Sequence, residues 1–325
     1  MRLGSLVFFR LMPLALVIFT CSAPSADPQS CIPDVGCFSA EAKVNIPKIK
    51  ITFSKDAELT LDTLSLADGA IIEIGTAHLK LRVRDLKIEG RATIRTFDPG
   101  FVPQKPATAP TGEPGTSYNP GPATEGRCPA CVGRPGGNGA DGYAGTQGVA
   151  GQKGGYVTLQ ISEAMIGELS IDTRGQDGGP GGDGGNGGAG GVGEQGGRAQ
   201  SGVLDCSTGP GYGGRGGAGG DGGRGGGGGN GGDGGVIVLQ VPLAARPLIK
   251  ATSEGGLGGE DGLPGHGGLG GEGGFGGRGD RLCQGREIDR KGERGVDGRP
   301  SPKSDILSLT HGKGLDGRPG TLIEL

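Results

Sequence analysis

The sequence predicts an all-β protein: a short parallel β-helix (β-solenoid) with three long Gly-rich insertions that form a polyglycine II helix bundle. Three observations lead to this fold class. Glycine supplies 78 of the 325 residues, with 33% hydrophobic residues, 4% aromatics and no Trp, which is too little apolar material for an ordinary core of this length. Several glycine runs hold a strict three-residue period, and short strand-like segments with a two-residue alternation lie between them.

The N-terminus predicts export. Arg2 precedes an apolar stretch that ends in small residues, so we assign residues 1–25 to a signal peptide and residues 26–42 to a tether. Two alternatives stay open: Cys21 is a candidate for lipidation in a lipoprotein signal, or it is removed by cleavage near Ala26. Either alternative places the protein in an extracellular or cell-surface location, including an outer-membrane lipoprotein.

Alternating apolar residues predict the strands. Residues 43–96 supply the opening rungs of the solenoid, with strands at 43–53, 58–66 and 71–74. The segment from Tyr156 to Ile161 matches the segment from Val236 to Val241 position for position, and Leu79, Leu81 and Val83 show the same pattern upstream. A second strand follows each of these, which is typical of the rungs of a parallel β-helix.

Glycine recurs every third residue over 133–154, 175–196, 211–235 and 256–277. A period of three is that of a polyproline II helix. Collagen shares this period but needs Pro-rich positions, whereas residues 175–196 contain only Pro180 and residues 211–235 contain no Pro. A disordered linker has no reason to keep a strict phase, so we predict ordered polyglycine II arms.

The two patterns together divide residues 97–325 into solenoid rungs interleaved with insertions at 97–154, 174–234 and 254–320. Each insertion has an outgoing arm, an irregular apex and a returning arm. Cysteine occurs in every apex, and six cysteines form an even set suited to an oxidising compartment: Cys31, Cys37, Cys128, Cys131, Cys206 and Cys283. Arms of similar length bring the second and third apices together, which predicts a Cys206–Cys283 disulfide.

The Gly-Gly-x arms resemble those of several polyglycine-bundle proteins. These are the adhesin tips of some bacteriophage long tail fibres, the glycine-rich proteins of the mycobacterial PE family and the polyglycine antifreeze protein of snow fleas; the arms are also similar to those of collagen-like Gly-x-y bacterial surface proteins. The resemblance covers the Gly-rich half of the chain and concerns the repeat type. It implies that loops at the bundle end bind a receptor.

We therefore predict a non-enzymatic structural or adhesive protein that presents binding loops on a rigid scaffold. Its candidate ligand-contacting residues lie in the third apex: Arg281, Gln284, Arg286, Glu287, Asp289, Arg290 and Lys291. The expected partner is a surface glycan or a protein receptor. A net charge of -3 argues against nucleic acid, and we expect membrane contact only through a lipid anchor.

No catalytic, cofactor-binding or metal-binding residue is predicted. The histidines His78, His266 and His311 are scattered along the chain, and no Ser or Cys has an adjacent base. Two alternatives from other classes remain: a β-helix enzyme acting on polysaccharides through Glu163, Glu168 and Asp172, and an ice-binding protein.

Overall fold

The computed structural model describes residues 30–47, 49–99, 101, 103–118, 130–301 and 313–325. The predicted signal peptide, Cys21 and Cys128 lie outside these ranges. Within them the protein is all-β, and the only helical segments are 3-10 turns at Arg246–Leu248 and Ile288–Arg290. The strands are β1 Ser30–Ile32, β2 Gly36–Phe38, β3 Lys43–Ile46, β4 Lys50–Thr52, β5 Ala57–Leu66, β6 Ile71–Glu73, β7 His78–Arg95, β8 Tyr156–Asp172, β9 Gln200–Ser201, β10 Cys206–Thr208, β11 Val236–Gln240, β12 Ile249–Thr252 and β13 Thr321–Glu324.

One large parallel sheet organises the chain. Its main path runs β3, β5, β7, β8, β11, β13, and β4 pairs with β6, β6 with β7, and β12 with β8. Neighbours follow one another in sequence order, and every pair is parallel. The longest ladder pairs His78 with Tyr156 and continues to Arg95 with Asp172.

The core is built from side chains that alternate along these strands. Leu81 pairs with Leu159, which in turn pairs with Leu239, and all three side chains are buried. Val157, Ile171 and Ile237 are fully buried in the same cluster. Each such aliphatic side chain contributes about 1.5–3 kcal/mol on burial, so the sheet region supplies the conventional hydrophobic stabilisation of the protein.

Some strand boundaries differ from the prediction. Residues 30–38, predicted to belong to a tether, form the antiparallel hairpin β1–β2, which Cys31 and Cys37 close with a disulfide. The side chain of Ile32 is buried in the core, so the hairpin packs on the sheet. The single strand predicted over 43–53 is divided into β3 and β4, because the segment between them leaves the ladder at Pro47, which has no N–H to donate.

Extended segments leave the sheet between the strands, and we call them arms. The first outgoing and returning arms are residues 103–118 and 133–154. The second are residues 175–197 and 211–235. The third are residues 255–279 and, on the return, 292–301 with 313–320.

Backbone hydrogen bonds join the arms at every third residue. Bonds from the second to the third outgoing arm start with Gly178 N–H to Leu257 O and repeat through Gly196 to Phe275. Between the second outgoing and returning arms they run in the opposite sense, from Gly211 N–H to Gly197 O through Gly232 to Gln176. Outgoing arms thus lie parallel to one another, returning arms do likewise, and the two sets form two antiparallel layers.

The close approach of the arms requires glycine at the bonded positions. A Cβ atom added to Gly220 would lie 2.0 Å from the carbonyl oxygen of Ala140, and one added to Gly187 would lie 1.9 Å from that of Gly220. These are far inside van der Waals contact. Any side chain there would separate the arms and break the bonds.

The glycine content of an arm follows the number of its neighbours. The second outgoing arm bonds to four other arms, as shown by Ala109 to Asp183, Gly179 to Val149, Gly178 to Leu257 and Gly229 to Gly179. Its sequence is therefore mostly Gly-Gly-x. The described part of the first outgoing arm bonds to only two arms and contains only Gly112 and Gly115.

We predict that two adjacent glycines of the second returning arm differ sharply in their tolerance of alanine. A Cβ at Gly226 would lie 2.0 Å from the Thr146 carbonyl oxygen, whereas a Cβ at Gly227 would meet only the Asp261 side chain, at 3.9 Å. We expect Gly226→Ala to lower the free energy of unfolding by at least about 3 kcal/mol and Gly227→Ala to change it by less than about 1 kcal/mol. Equal losses in thermal or denaturant unfolding would contradict the close packing of the arms.

Candidate binding surface at the arm tips

The ends of the arms farthest from the sheet converge on one surface, which we call the tip: residues 130–132, 198–210 and 278–291. Ala130 N–H donates to Arg198 O, and Ala199 N–H donates to Arg278 O at 2.8 Å. These bonds connect all three apices. The tip therefore forms as a unit from segments widely separated in sequence.

A disulfide fixes the second apex to the third. Cys206 and Cys283 are bonded, with 4.8 Å between their Cα atoms, which is the predicted pairing. Ser201 N–H donates to the Asp280 carboxylate at 3.3 Å, and Ser201 Oγ accepts from Leu282 N–H at 3.1 Å. Covalent and polar links together hold the two apices in one arrangement.

The second apex contains a structure that the sequence did not predict. Strands β9 and β10 form a short antiparallel hairpin, and Gly202 N–H donates to Asp205 O across its turn. At this turn the side chains of Val203 and Leu204 are 94% and 91% exposed. Two adjacent aliphatic side chains therefore project into solvent.

The predicted contact residues of the third apex divide into two groups. The side chains of Arg281, Gln284, Arg286 and Asp289 are exposed at the tip. The other three contact the protein itself: Glu287 Oε1 lies 3.2 Å from Arg278 Nε, Lys291 Nζ lies 2.9 Å from Glu272 Oε2, and Arg290 donates to the carbonyl oxygen of Pro210 while its guanidinium lies over the Tyr212 ring. The second group thus supports the loop.

The remaining predicted cysteines are only partly described. Cys131 is disulfide-bonded, and its carbonyl oxygen accepts from Gly197 N–H at 2.8 Å. Cys128 lies outside the described residues. The disulfides Cys31–Cys37 and Cys206–Cys283 are consistent with an extracellular protein.

The Asp and Asn side chains of the arms have a structural role that the sequence analysis did not predict. In the second outgoing and returning arms two of every three N–H groups donate to carbonyls of neighbouring arms, and several N–H groups of the bundle that have no such carbonyl donate to a carboxylate or amide oxygen. The acceptors in neighbouring parallel arms are Asn138, Asp141, Asp177, Asp183, Asn186, Asp221, Asn230 and Asp233. The signal in the sequence is their occurrence at the one non-glycine position of the triplet.

An ion pair between a buried carboxylate and an exposed guanidinium lies just below the tip. Glu194 is 5% exposed, and its carboxylate accepts from Arg134 Nε at 2.8 Å, from Arg134 Nη2 at 3.0 Å and from the Arg134 backbone N–H. The Arg134 guanidinium also lies 4.3 Å from the Tyr118 ring centre. Removing Arg134 would take a charged hydrogen-bond donor from the buried Glu194 carboxylate, whereas the Arg134 guanidinium itself is exposed to solvent.

The carboxylates of the enzymatic alternative do not share one neighbour. Glu163, Glu168 and Asp172 lie 3.8, 2.8 and 2.7 Å from Arg84, Arg91 and Arg174, respectively. His78 hydrogen-bonds to Thr158 on the sheet, His266 lies on the third outgoing arm, and His311 is outside the described residues. In the described ranges no group of three or more His, Cys, Asp or Glu residues is arranged to hold a metal ion.

Three carboxylates have pKa values below their usual range. The Lys105 ammonium, 2.6 Å from Asp183 Oδ1, and the Leu263 N–H lower the pKa of Asp183. The hydrogen bond from Lys291 lowers the pKa of Glu272. Backbone N–H donation from Arg281, followed by that from Ser201, lowers the pKa of Asp280.

Comparison with known proteins adds little. No protein family and no curated protein matches the chain. One solved structure with detectable similarity is the nine polyproline type II helical bundle springtail antifreeze protein from Granisotoma rainieri, with 19% identity, 59% of this chain and 96% of that chain covered, and a TM-score of 0.10. A similarity at this level carries no argument about fold or function. No helix in the described ranges is both long and apolar enough to cross a membrane.

We predict that acid weakens the arms and the tip. A carboxylate whose pKa is lowered on folding stabilises the protein above its unfolded pKa of about 4, and this contribution is lost as the pH falls through the folded pKa. The melting temperature should therefore fall below about pH 4, and more steeply in the wild type than in the Asp183→Asn, Glu272→Gln, Asp280→Asn triple variant. Parallel pH profiles of the two proteins would contradict this assignment.

Proposed function

We propose that this protein is an exported, non-enzymatic adhesive or structural protein in which a polyglycine II bundle, standing on a short β-solenoid, presents a binding surface at its tip. The observation that carries the proposal is the three-residue hydrogen-bond period between arms that end in a disulfide-linked tip. At about 3.1 Å per residue, a 23-residue arm such as 175–197 would reach about 70 Å. The tip would then lie far from the sheet.

The spacing of the parallel strands supports a solenoid base. β3 pairs with β5 at an offset of 20 residues (Lys43 with Thr63), and β5 pairs with β7 at an offset of 22 (Ala57 with Leu79). Later offsets are close to 80, as in Tyr156 with Val236, because an insertion is added to each rung. A coil with one rung per turn accounts for the short offsets of 20 and 22, and the same coil with an insertion in each rung accounts for the offsets close to 80.

The distribution of side chains supports the tip as the working surface. Most bonded positions along the arms are glycines, so the arms offer few side chains inside the bundle and a mixed, solvated set outside it. The tip instead brings exposed Arg281, Gln284, Arg286 and Asp289 together with exposed aliphatic residues. Such a mixed surface can hydrogen-bond a glycan or a protein receptor.

Ice binding is a second candidate, and one observation favours it. The outgoing arms lie parallel in one layer, and on the third of them Leu257, Leu263 and Leu269 project at a regular six-residue spacing. Glu260, His266 and Glu272 alternate with them, so the row is not uniformly apolar. Thermal hysteresis of the purified wild-type protein would favour this candidate over adhesion.

We predict that variants of the tip lose binding and variants of the arm face do not. Labelled full-length protein would be titrated onto surface-bound glycans and intact cells. The variant Arg281→Ala, Arg286→Ala, Asp289→Ala should bind at least about tenfold more weakly, because its hydrogen-bonding groups are removed. The matched control Arg215→Ala, Arg224→Ala, Asp221→Ala changes charges of the same types on the second returning arm and should bind normally. Binding that is insensitive to the tip variant but lost in the arm variant would refute the proposed function.

A further inference from the structure

We propose that the Val203–Leu204 turn of the second apex inserts into the interface of a lipid bilayer that carries anionic headgroups. This inference rests on the proposed function in one respect, namely that the tip is the contacting surface. It adds a membrane surface as a partner, in contrast to the expectation from the sequence that membrane contact occurs only through a lipid anchor.

The shape and exposure of the turn carry the argument. Val203 and Leu204 are almost fully exposed, and they lie side by side at the end of the β9–β10 hairpin. A convex apolar projection cannot enclose a small ligand, which needs a concave site. It can enter another apolar phase, and the transfer of each aliphatic side chain out of water is favourable.

The β9–β10 hairpin is fixed in position, so that it can present Val203 and Leu204 to a bilayer. The Cys206–Cys283 disulfide joins the hairpin to the third apex immediately after the turn. The Asp280 carboxylate accepts from Ser201 N–H just before the turn, and Ala199 N–H bonds to Arg278 O. The turn is therefore fixed on both sides, so little conformational entropy is lost when it inserts.

The charge of the tip selects an anionic surface. Residues 198–210 and 278–291 contain six Lys or Arg and four Asp or Glu, a net charge of 6 − 4 = +2, whereas the whole chain has 32 − 35 = −3. The carboxylate of Asp280 is engaged by backbone N–H groups, while Arg281 and Arg286 are exposed. A basic side chain is attracted to an anionic bilayer, and the attraction falls with added salt.

Apolar side chains elsewhere on the bundle provide a matched control. Leu257 and Leu263 on the third outgoing arm are 60% and 61% exposed, but they lie on the flank of the bundle, next to Asp177 and Asp183. If exposed aliphatic surface of any kind caused membrane binding, these residues would contribute as much as the tip.

The test is flotation of full-length protein with vesicles of phosphatidylcholine alone and of phosphatidylcholine with 30% phosphatidylglycerol, an assay composition chosen for about one-third anionic lipid. Wild-type protein should float with the anionic vesicles and be released by high salt. Val203→Ser, Leu204→Ser should reduce binding at least about tenfold, Arg281→Gln, Arg286→Gln should reduce it severalfold, and Leu257→Ser, Leu263→Ser should leave it unchanged. Peptide mapping without reduction would check that each variant retains the Cys206–Cys283 disulfide.

Two results would overturn the inference: no flotation of the wild type with anionic vesicles, or equal flotation of the Val203→Ser, Leu204→Ser variant. Either result can be separated from failure of the proposed function. If the wild type binds cells or glycans through the tip but does not float with vesicles, the tip contacts a receptor, and the lipid inference alone fails. If the protein floats with vesicles and binds no cell or glycan, the adhesive role fails and the lipid contact stands.

Discussion

A hydrogen bond donated by a glycine N–H, at a position where the lack of a Cβ atom lets two backbones come close, is the interaction on which the arms depend. The N–H of Gly220 reaches the carbonyl of Gly188, and the N–H of Gly188 reaches that of Ala140, so each bond connects an arm to the next across the two layers. Apolar side chains stabilise only the sheet, where Leu81, Leu159 and Leu239 are stacked. Backbone polar groups elsewhere are satisfied between arms, and this satisfaction replaces a hydrophobic core. The high glycine content of the chain follows from this division between a sheet with an apolar core and arms joined through their backbones.

The sheet sets the register of the arms. Tyr156 pairs with Val236 at an offset of 80 residues, and the same offset separates Asp177 from Leu257, whose N–H its carboxylate accepts. The alignment made in these strands is therefore carried along the second and third outgoing arms without a shift, whereas the offset between the second and third returning arms changes from 85 at Asp233 and Arg318 to 78 at Asp221 and Arg299. The Asp and Asn side chains add to it, because they accept N–H groups that no arm carbonyl takes. Neighbouring arms are thus aligned by side chains as well as by backbone bonds.

Periodicity in the sequence predicts most of the strands and the three-residue spacing of the arms, and equal arm lengths predict the pairing of Cys206 with Cys283. These features depend on repeating local patterns, or on equal arm lengths that can be counted directly. The hairpin at residues 30–38 was missed because Ile32 and the Cys31–Cys37 disulfide acquire their roles only against the core. The exposed Val203–Leu204 turn was missed for a similar reason, since its conformation depends on Asp280 and Cys283, which lie far along the chain. Tertiary neighbours, and not local propensity, determine both features.

The three-residue phase that neighbouring arms share limits how such a protein can change in length. Removing one residue from the second outgoing arm would move its glycines out of phase with every neighbour beyond that point. Removing three residues would restore the phase but leave the tip at two different heights unless the other arms shortened as well. The arms can therefore lengthen or shorten only in steps of three residues, and all arms must change together. With the rise of a polyproline II helix, each step would change the length of an arm by about 9 Å. The glycine repeat therefore determines which arm lengths are possible.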